Sequence, residues 1–352
     1  MAGPISSEKP LSPEVGWGYS EMIKETFGSL DVRIPNWKED DLISVPCPLC
    51  RSDACDIIGK RPDGLVVNLC GKCGLLYVSP RPSDGALGRF YSNYSHLHGK
   101  GDYASEDYWI GVLNSQNALA LSDSNILFLV SQGINMRGIR VLDVGCGNGS
   151  FLLRCRKLGA SSVVGVEPDK GMAIAAKSHL DIEVHDGYLE DLPKEKGLFG
   201  LIVLWQVLEH LANPCQLMHL IYERLEPGGV IAVATPNAEG YKTQGIGWTG
   251  FRLDYEHLCY YTKETAAFLF ESCNCHLVTA TPFGHPDLDS PSITGKDKRT
   301  RRTYIFNSIR KIPPLAATLI KLYSSRAVIE NKGRNASGSY ILYLLGKKGK
   351  GV

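Results

Sequence analysis

Residues 139–149 read IRVLDVGCGNG. Ile139, Val141, Leu142 and Val144 form a short apolar run that reads as a strand buried on both faces, with one acid, Asp143, set into its end. Gly145, Gly147 and Gly149, separated by Cys146 and Asn148, then turn the chain straight into a helix over 151–158. Glycines allow a sharp turn and a close approach of backbone to ligand. Outward from this unit the same rhythm repeats. Val141–Val144, Val163–Val166, Ile182–Val184, Leu201–Leu204 and Val230–Ala234 read as strands, and Phe151–Leu158, Gly171–His179 and Pro214–Leu225 as the helices between them. That alternation predicts an α/β fold, a parallel sheet covered by helices on both faces. Lys263–Cys273 reads as a further helix, Leu277–Thr281 as a strand, and Ser339–Leu345 as the last strand.

The remaining chain and its composition bound the function classes. Lys and Arg number 38 against 37 Asp and Glu, a net charge of +1, which argues against a protein that coats nucleic acid or an anionic membrane. Hydrophobic residues make up 43%, enough for a large core and too many for a wholly disordered chain. The 11 cysteines are an odd count and follow a polar start, Ser6 to Pro10, so a secreted disulfide scaffold is not expected. The longest apolar stretch, Leu198–Leu208, is broken by Gly200 and Gln206 and is too short to span a bilayer. The expected setting is reducing and cytoplasmic.

Three strand ends carry acids. Asp143 suits an ammonium group, reached directly or through water. Glu167, followed by Pro168, ends the next strand 22 residues after Gly145, where a carboxylate can accept both hydroxyls of a ribose. Asp186, before Gly187, ends the third, where it can accept the exocyclic amine of adenine. The glycine spacing is G-x-G-x-G, and Ser150 stands where a dinucleotide site wants its third Gly or Ala. These residues resemble the class I S-adenosylmethionine-dependent methyltransferases, over roughly residues 105–282 plus the final strand. Leu201–His210 (LIVLWQVLEH) and Leu225–Asn237 (LEPGGVIAVATPN) match that family's fourth and fifth strands. The resemblance implies a Rossmann-like sheet of about seven strands, the last antiparallel and inserted from the C-terminus. It implies S-adenosylmethionine as cofactor, with Gly145–Gly149 lining its methionine part, Glu167 holding the ribose, Asp186 and Gly187 reading the adenine, and Trp205–Gln206 closing over it.

A second motif precedes this core. Cys47-Pro-Leu-Cys50 and Cys70-Gly-Lys-Cys73, nineteen residues apart, form two tight knuckles of the kind that place four thiolates tetrahedrally around zinc. Four cysteines leave no open coordination position, so the expected zinc is structural; Cys55 lacks a pair. Cys73–Tyr94 (CGLLYVSPRPSDGALGRFYSNY) resembles the zinc-ribbon leader of a bacterial methyltransferase subgroup, many of whose members act on sugars or surface glycans. The chain is thus divided into an N-terminal arm (1–44), a zinc-ribbon leader (45–100), a helical lid (101–137), a methyltransferase core (138–282), an insertion (283–336), and a final core strand and tail (337–352).

Methyl transfer from a sulfonium needs an aligned acceptor, exclusion of water and, for a hydroxyl, a base. Histidine is the natural base near neutral pH. His210, in Glu209-His210, follows the fourth strand; His257 lies in Tyr255-Glu256-His257 after the fifth. Relatives carry a similar stretch beside the active site, which marks His257, Glu256 and Tyr255 as catalytic candidates. Either histidine alone also suits a helix cap or a packing residue. Tyr255, Tyr260, Tyr261 and Trp248 suit either a ring-stacking wall or core packing. Glu209-His210 also resembles the ubiquinone-biosynthesis O-methyltransferases, where acids and a His here bind a divalent ion. Gln206 replaces one of those acids, which weakens the case for catalytic magnesium. The expected reaction is methylation of a hydroxyl, or less readily a carbon, of a sugar, nucleotide sugar, glycan or other small polar metabolite. The alternatives are a phenol or quinone O-methyltransferase, an RNA methyltransferase, and a non-catalytic zinc-ribbon adaptor. A homodimer is compatible with the sequence. The basic run from Lys296 to Arg302 and the apolar stretch 313–323 are left as a solvated loop and a lid or interface element.

Overall fold

The structure, a computed structural model, describes residues 37–91, 116–252, 255–283 and 341–349, with the backbone alone for 116–123. Most of the N-terminal arm, the first part of the expected lid with Trp109 to Leu113, and the insertion with its basic run lie outside the described residues.

The leader is a small antiparallel unit. Strand β1 (Leu42–Ile43) pairs with β5 (Arg81–Pro82), and β2 (Cys55–Lys60), β3 (Val66–Cys70) and β4 (Leu76–Val78) form a meander. Helix α1 (Asp84–Tyr91) follows. The core then runs through α2 (Gln116–Ser131), β6 (Arg140–Val144), α3 (Ser150–Lys157), β7 (Ser162–Glu167), α4 (Lys170–Leu180), β8 (Glu183–Asp186), β9 (Phe199–Trp205), α5 (Pro214–Arg224) and β10 (Leu225–Pro236). It ends with β11 (Cys259–Tyr260), α6 (Lys263–Ser272), β12 (Cys275–Phe283) and β13 (Ile341–Lys348). Local chemistry starts the helices: Asp169 accepts from the Met172 amide at the head of α4, Pro214 opens α5, and Thr262 and Thr265 form a capping box at α6.

Seven strands make the main sheet in the order β12-β13-β10-β9-β6-β7-β8. β10, β9, β6, β7 and β8 run parallel, and β13 is antiparallel to both of its neighbours. The expected sheet, with its last strand reversed and supplied from the C-terminus, is the one observed. The order reverses direction between β6 and β9, and in open α/β sheets ligands bind beyond the carboxyl ends of strands at such a point.

Period-two alternation splits the strand residues between two apolar clusters. Val141, Val163, Leu201, Val203, Ala232 and Tyr343 face α2, α3 and α4. Leu142, Val164, Ile202, Leu204, Ile231 and Leu344 face α5, α6 and the leader, whose Cys47, Leu49, Leu75 and Tyr77 lie in the same cluster. Helix α2, read from the sequence as part of a lid, lays Ile126, Phe128 and Leu129 on the first face, and Tyr343 donates to Asn125 at 2.8 Å. Its described part is therefore a layer of the core.

One pairing was not expected from the sequence. β11 pairs antiparallel with β4 of the leader, Cys259 opposite Tyr77 and Tyr260 opposite Leu76, giving a second sheet in the order β11-β4-β3-β2. The leader sheet thus takes its edge strand from the core. Among the described residues no helix is long and apolar enough to cross a membrane.

Candidate active site

The loop after β6 turns through three glycines with positive φ: Gly145 at 73°, Gly147 at 54° and Gly149 at 71°. At Gly145 a Cβ would lie 2.6 Å from Val207 Cγ2, so a side chain there would strike the segment that follows β9. At Gly165, inside β7, it would lie 2.5 Å from the Cys146 sulfur. These two glycines let the loop nest between its neighbours. The Gly145 and Cys146 amides both donate to the Val166 carbonyl, and burial pushes the Cys146 thiol well up, so this thiol packs rather than reacts.

Acids ring the loop as expected. Asp143 is 2% exposed, and its Oδ1 has no hydrogen-bond partner. Burial first, then the nearby Glu167 carboxylate, raises its pKa well above the ordinary carboxylate range. An ammonium group would relieve both costs. Glu167 accepts from the Gly147 amide at 2.7 Å through Oε2 and from the Asp169 amide at 2.9 Å through Oε1. It therefore stiffens the glycine loop from the end of the neighbouring strand. Asp186 lies directly opposite Glu167 in the β7–β8 ladder and is exposed, Gly187 donates to the Glu167 carbonyl, and Pro168 is half-buried beside them. Asn148 accepts from the Ser150 amide at the head of α3. Trp205 packs edge-on against Phe151, and its buried Nε1 has no hydrogen-bond partner. Gln206 holds φ at 58° while its amide donates to the Ala234 carbonyl, a strained turn at the end of β9. The predicted cofactor residues thus gather at the carboxyl ends of β6, β7, β8 and β9.

Beyond Gln206 the chain makes a tight turn, Leu208–His210, that carries a second group of side chains. Glu209 is fully buried, accepts from Thr235 Oγ1 at 2.9 Å, and uses its carbonyl to hold the Leu258 amide at 2.8 Å. That bond brings the 255–258 segment beside it. His257 Nε2 lies 3.9 Å from Glu209 Oε1, and the His257 and His210 rings meet edge to face at 4.7 Å. His210 Nδ1 lies 2.9 Å from the hydroxyl of Tyr91, at the end of α1 in the leader. Burial first, and then His210, pushes the His257 pKa well below the usual histidine value, with Glu256 opposing. The neutral form of His257 is therefore favoured at pH 7. Glu209, His210 and His257 bring ligand atoms within 4.8 Å of one another and could also hold a divalent ion.

Some candidates resolve differently. Trp248, Tyr260 and Phe251 pack edge to face within an apolar cluster that includes Leu65, Val67 and Val78 of the leader. Tyr261 is fully buried in the other cluster on the leader side. The stacking wall is, for these three of the four aromatics, core packing. Tyr255 and Glu256 are also buried, at 6% and 4% exposure. Tyr91 and Thr235 were not singled out from the sequence. Tyr91 stands in the tyrosine-rich end of the leader motif, but nothing local marks its long-range partner.

The four cysteines of the knuckles come together. Their sulfurs lie within 4.8 Å of one another, with Cys47–Cys73 at 3.6 Å and Cys50–Cys70 at 3.4 Å. Tetrahedral thiolates at the usual zinc–sulfur length sit about 3.8 Å apart. None of the 11 cysteines is in a disulfide, and Cys55 is exposed and outside the cluster. Four close sulfurs with no carboxylate or histidine among them fit a closed, structural zinc site.

Known proteins match the core of the chain. Residues 115–280 match a family model described as a methyltransferase domain. The chain is 31% identical over 107 residues to a ubiquinone biosynthesis O-methyltransferase of Azorhizobium caulinodans, covering 29% of this chain and 42% of that one. It is 37% identical over 118 residues to a tRNA U34 carboxymethyltransferase of Pseudomonas aeruginosa, covering 32% and 36%. The chain thus spans less than half the length of these relatives. A solved S-adenosylmethionine-dependent methyltransferase from Archaeoglobus fulgidus superposes at 19% identity and a TM-score of 0.43, over 69% of this chain and 100% of that one. Residues 115–280 thus match a methyltransferase domain, and they carry the sheet order and glycine loop that the sequence led one to expect of the class I S-adenosylmethionine-dependent kind.

Proposed function

We propose that the protein transfers a methyl group from S-adenosylmethionine to a hydroxyl of a small polar molecule, a sugar or nucleotide sugar being the favoured class. The observation that carries this reading is the Glu209–His210–His257 group, with Glu209 and His257 buried and His210 half-buried, set one turn beyond the strand end that borders the glycine loop. When bound, S-adenosylmethionine supplies an electrophilic methyl group on a sulfonium. Asp143 would meet its ammonium group, Glu167 its ribose, and Asp186 with Gly187 its adenine. His257, neutral through burial, would take the proton of the acceptor hydroxyl, and Glu209 beside Nε2 would steady the resulting imidazolium. Tyr91 would orient His210 from the leader side.

The zinc-ribbon leader supports a sugar acceptor through its resemblance to glycan-directed enzymes. A phenol or quinone acceptor draws support from the O-methyltransferase relatives, and RNA from the tRNA-directed one. Calorimetry with S-adenosylmethionine comes first: absence of binding at high micromolar cofactor would leave only the adaptor reading. Transfer of a labelled methyl to nucleotide sugars, to phenols and to RNA then separates the classes. Label in RNA alone would overturn the small-molecule reading. Elemental analysis of protein purified without chelator is expected to give one zinc per chain, and a trace amount would remove the metal.

A further inference from the structure

The leader buries a charged pair that the cysteine cluster does not require. Arg61 ends the β2 side of the β2–β3 hairpin, and Asp63 sits in its turn. Both side chains are fully buried and form an ion pair, yet the guanidinium reaches past Asp63 into the core. Its Nη1 donates to the His257 carbonyl at 2.6 Å and to the Tyr260 hydroxyl at 2.8 Å. Its Nη2 donates to the Tyr255 carbonyl at 2.6 Å. One leader side chain therefore ties the backbone on both sides of Glu256, within the segment that presents His257. The Leu258 carbonyl accepts from the Val78 amide of β4, so Arg61 completes a contact already begun by the β4–β11 pairing.

A buried arginine is costly to desolvate unless each of its donors is used. Here two donors go to Asp63 and the other three to the Tyr255 and His257 carbonyls and the Tyr260 hydroxyl, all on the His257 segment. Arginine's planar fork meets several acceptors at fixed angles, whereas a lysine ammonium is a point charge on a flexible stem. We propose that Arg61 is a positioning residue: it fixes the backbone of residues 255–257 so that the His257 ring faces Glu209 and His210, and through it the leader governs the methyl-transfer step. This inference rests on the methyltransferase reading for its kinetic consequence but not for its structural one.

The test uses the full-length protein with Arg61→Lys, which keeps a cation beside Asp63 but cannot reach all three acceptors. Arg61→Met with Asp63→Asn, which leaves no buried charge, is the second variant. Zinc content, melting temperature, cofactor affinity by calorimetry, and hydrogen exchange followed by peptide are measured for each. Exchange across 255–262 is expected to rise at least tenfold, with strands β6, β7 and β9 and both cysteine knuckles unchanged. With the acceptor found in the substrate screen, kcat is expected to fall more than tenfold, while S-adenosylmethionine affinity stays within twofold. Arg61→Lys is expected to retain more activity than the double variant. Unchanged exchange at 255–262, or a rise spread evenly over the whole chain with loss of zinc, would overturn the proposal. Failure of the wild-type protein to bind S-adenosylmethionine would instead defeat the methyltransferase reading, leaving the exchange result to stand by itself.

Discussion

The two ends of the candidate site are built in different ways. The cofactor end is local: Asp143 through Gly149 is one short run, and its partners Glu167 and Asp186 end the next two strands of the same sheet. The acceptor end is assembled from afar. Tyr91 comes from the leader, Glu209 and His210 follow β9, Thr235 lies on β10, and His257 is held by Arg61 nearly two hundred residues earlier. The first end is shaped by backbone conformation, through three left-handed glycines; the second by side chains that are buried and polar. Backbone chemistry suits a cofactor that stays the same across many enzymes, and a long-range assembly can change its acceptor without disturbing the loop.

The sharpest way to break this division is at the acceptor end. His257→Gln keeps the size and some hydrogen bonding of the ring but removes the base. Methyl transfer is expected to fall by about 10²–10⁴-fold, the usual worth of a general base. Cofactor affinity should be unchanged, because the glycine loop makes no use of this ring. Equal losses in kcat and in cofactor affinity would show that the two ends are not separable.

Legibility from the sequence follows the same division. The sheet was readable because its central strands β6, β7, β9 and β10 carry apolar runs, and the cofactor candidates because they stand at or just beyond strand ends. The four clustered cysteines were readable from spacing alone. Glu209 was visible only as a neighbour of His210, and its contact with Thr235 depends on β9 and β10 lying side by side. Arg61 gave no signal: a charged residue before Pro62-Asp63-Gly64 reads as an exposed turn, and only the β4–β11 pairing brings it under His257. The aromatic wall went the other way. Trp248, Tyr260 and Tyr261 have the composition of a binding surface, but the leader covers them.

At the cofactor end, the informative substitution is one methyl group. Gly145→Ala forces an L side chain to a φ of 73° and drives its Cβ to 2.6 Å from Val207. Strain of this sort costs about 1–3 kcal/mol, about 5- to 150-fold if it is felt on binding. Gly147→Ala is the milder control, since its Cβ would meet only Met172 Sδ at 3.4 Å. S-adenosylmethionine affinity measured by calorimetry should therefore fall more for position 145 than for 147. The reverse order would mean that the loop opens away from Val207 when the cofactor binds.

The smallest expected effect sharpens the comparison most, because the buried titratable groups at the two ends pull stability in opposite directions with pH. His257 has a folded pKa well below its unfolded value of about 6.5. The unfolded chain then binds more protons as pH falls, so its contribution is complete above pH 6.5 and is lost on acidification through that value toward the folded one. Asp143 has a folded pKa raised above its unfolded value, so its contribution is present below about pH 4 and is lost as pH rises through the folded one. The limit for either group is one proton, about 1.4 kcal/mol per pH unit. Thermal unfolding from pH 5 to 8, in buffer without added divalent ion, separates them. His257→Gln should flatten the fall in melting temperature below pH 6.5. Asp143→Asn removes the acid whose ionisation burial and Glu167 oppose, so it should flatten the loss of melting temperature as pH rises, while weakening cofactor binding. A protein whose cofactor acid costs stability when empty gains it back on binding, so the melting temperature of the wild type should rise with S-adenosylmethionine more than that of Asp143→Asn. If the two rise equally, Asp143 does not meet the cofactor, and the local reading of that end fails at its first residue.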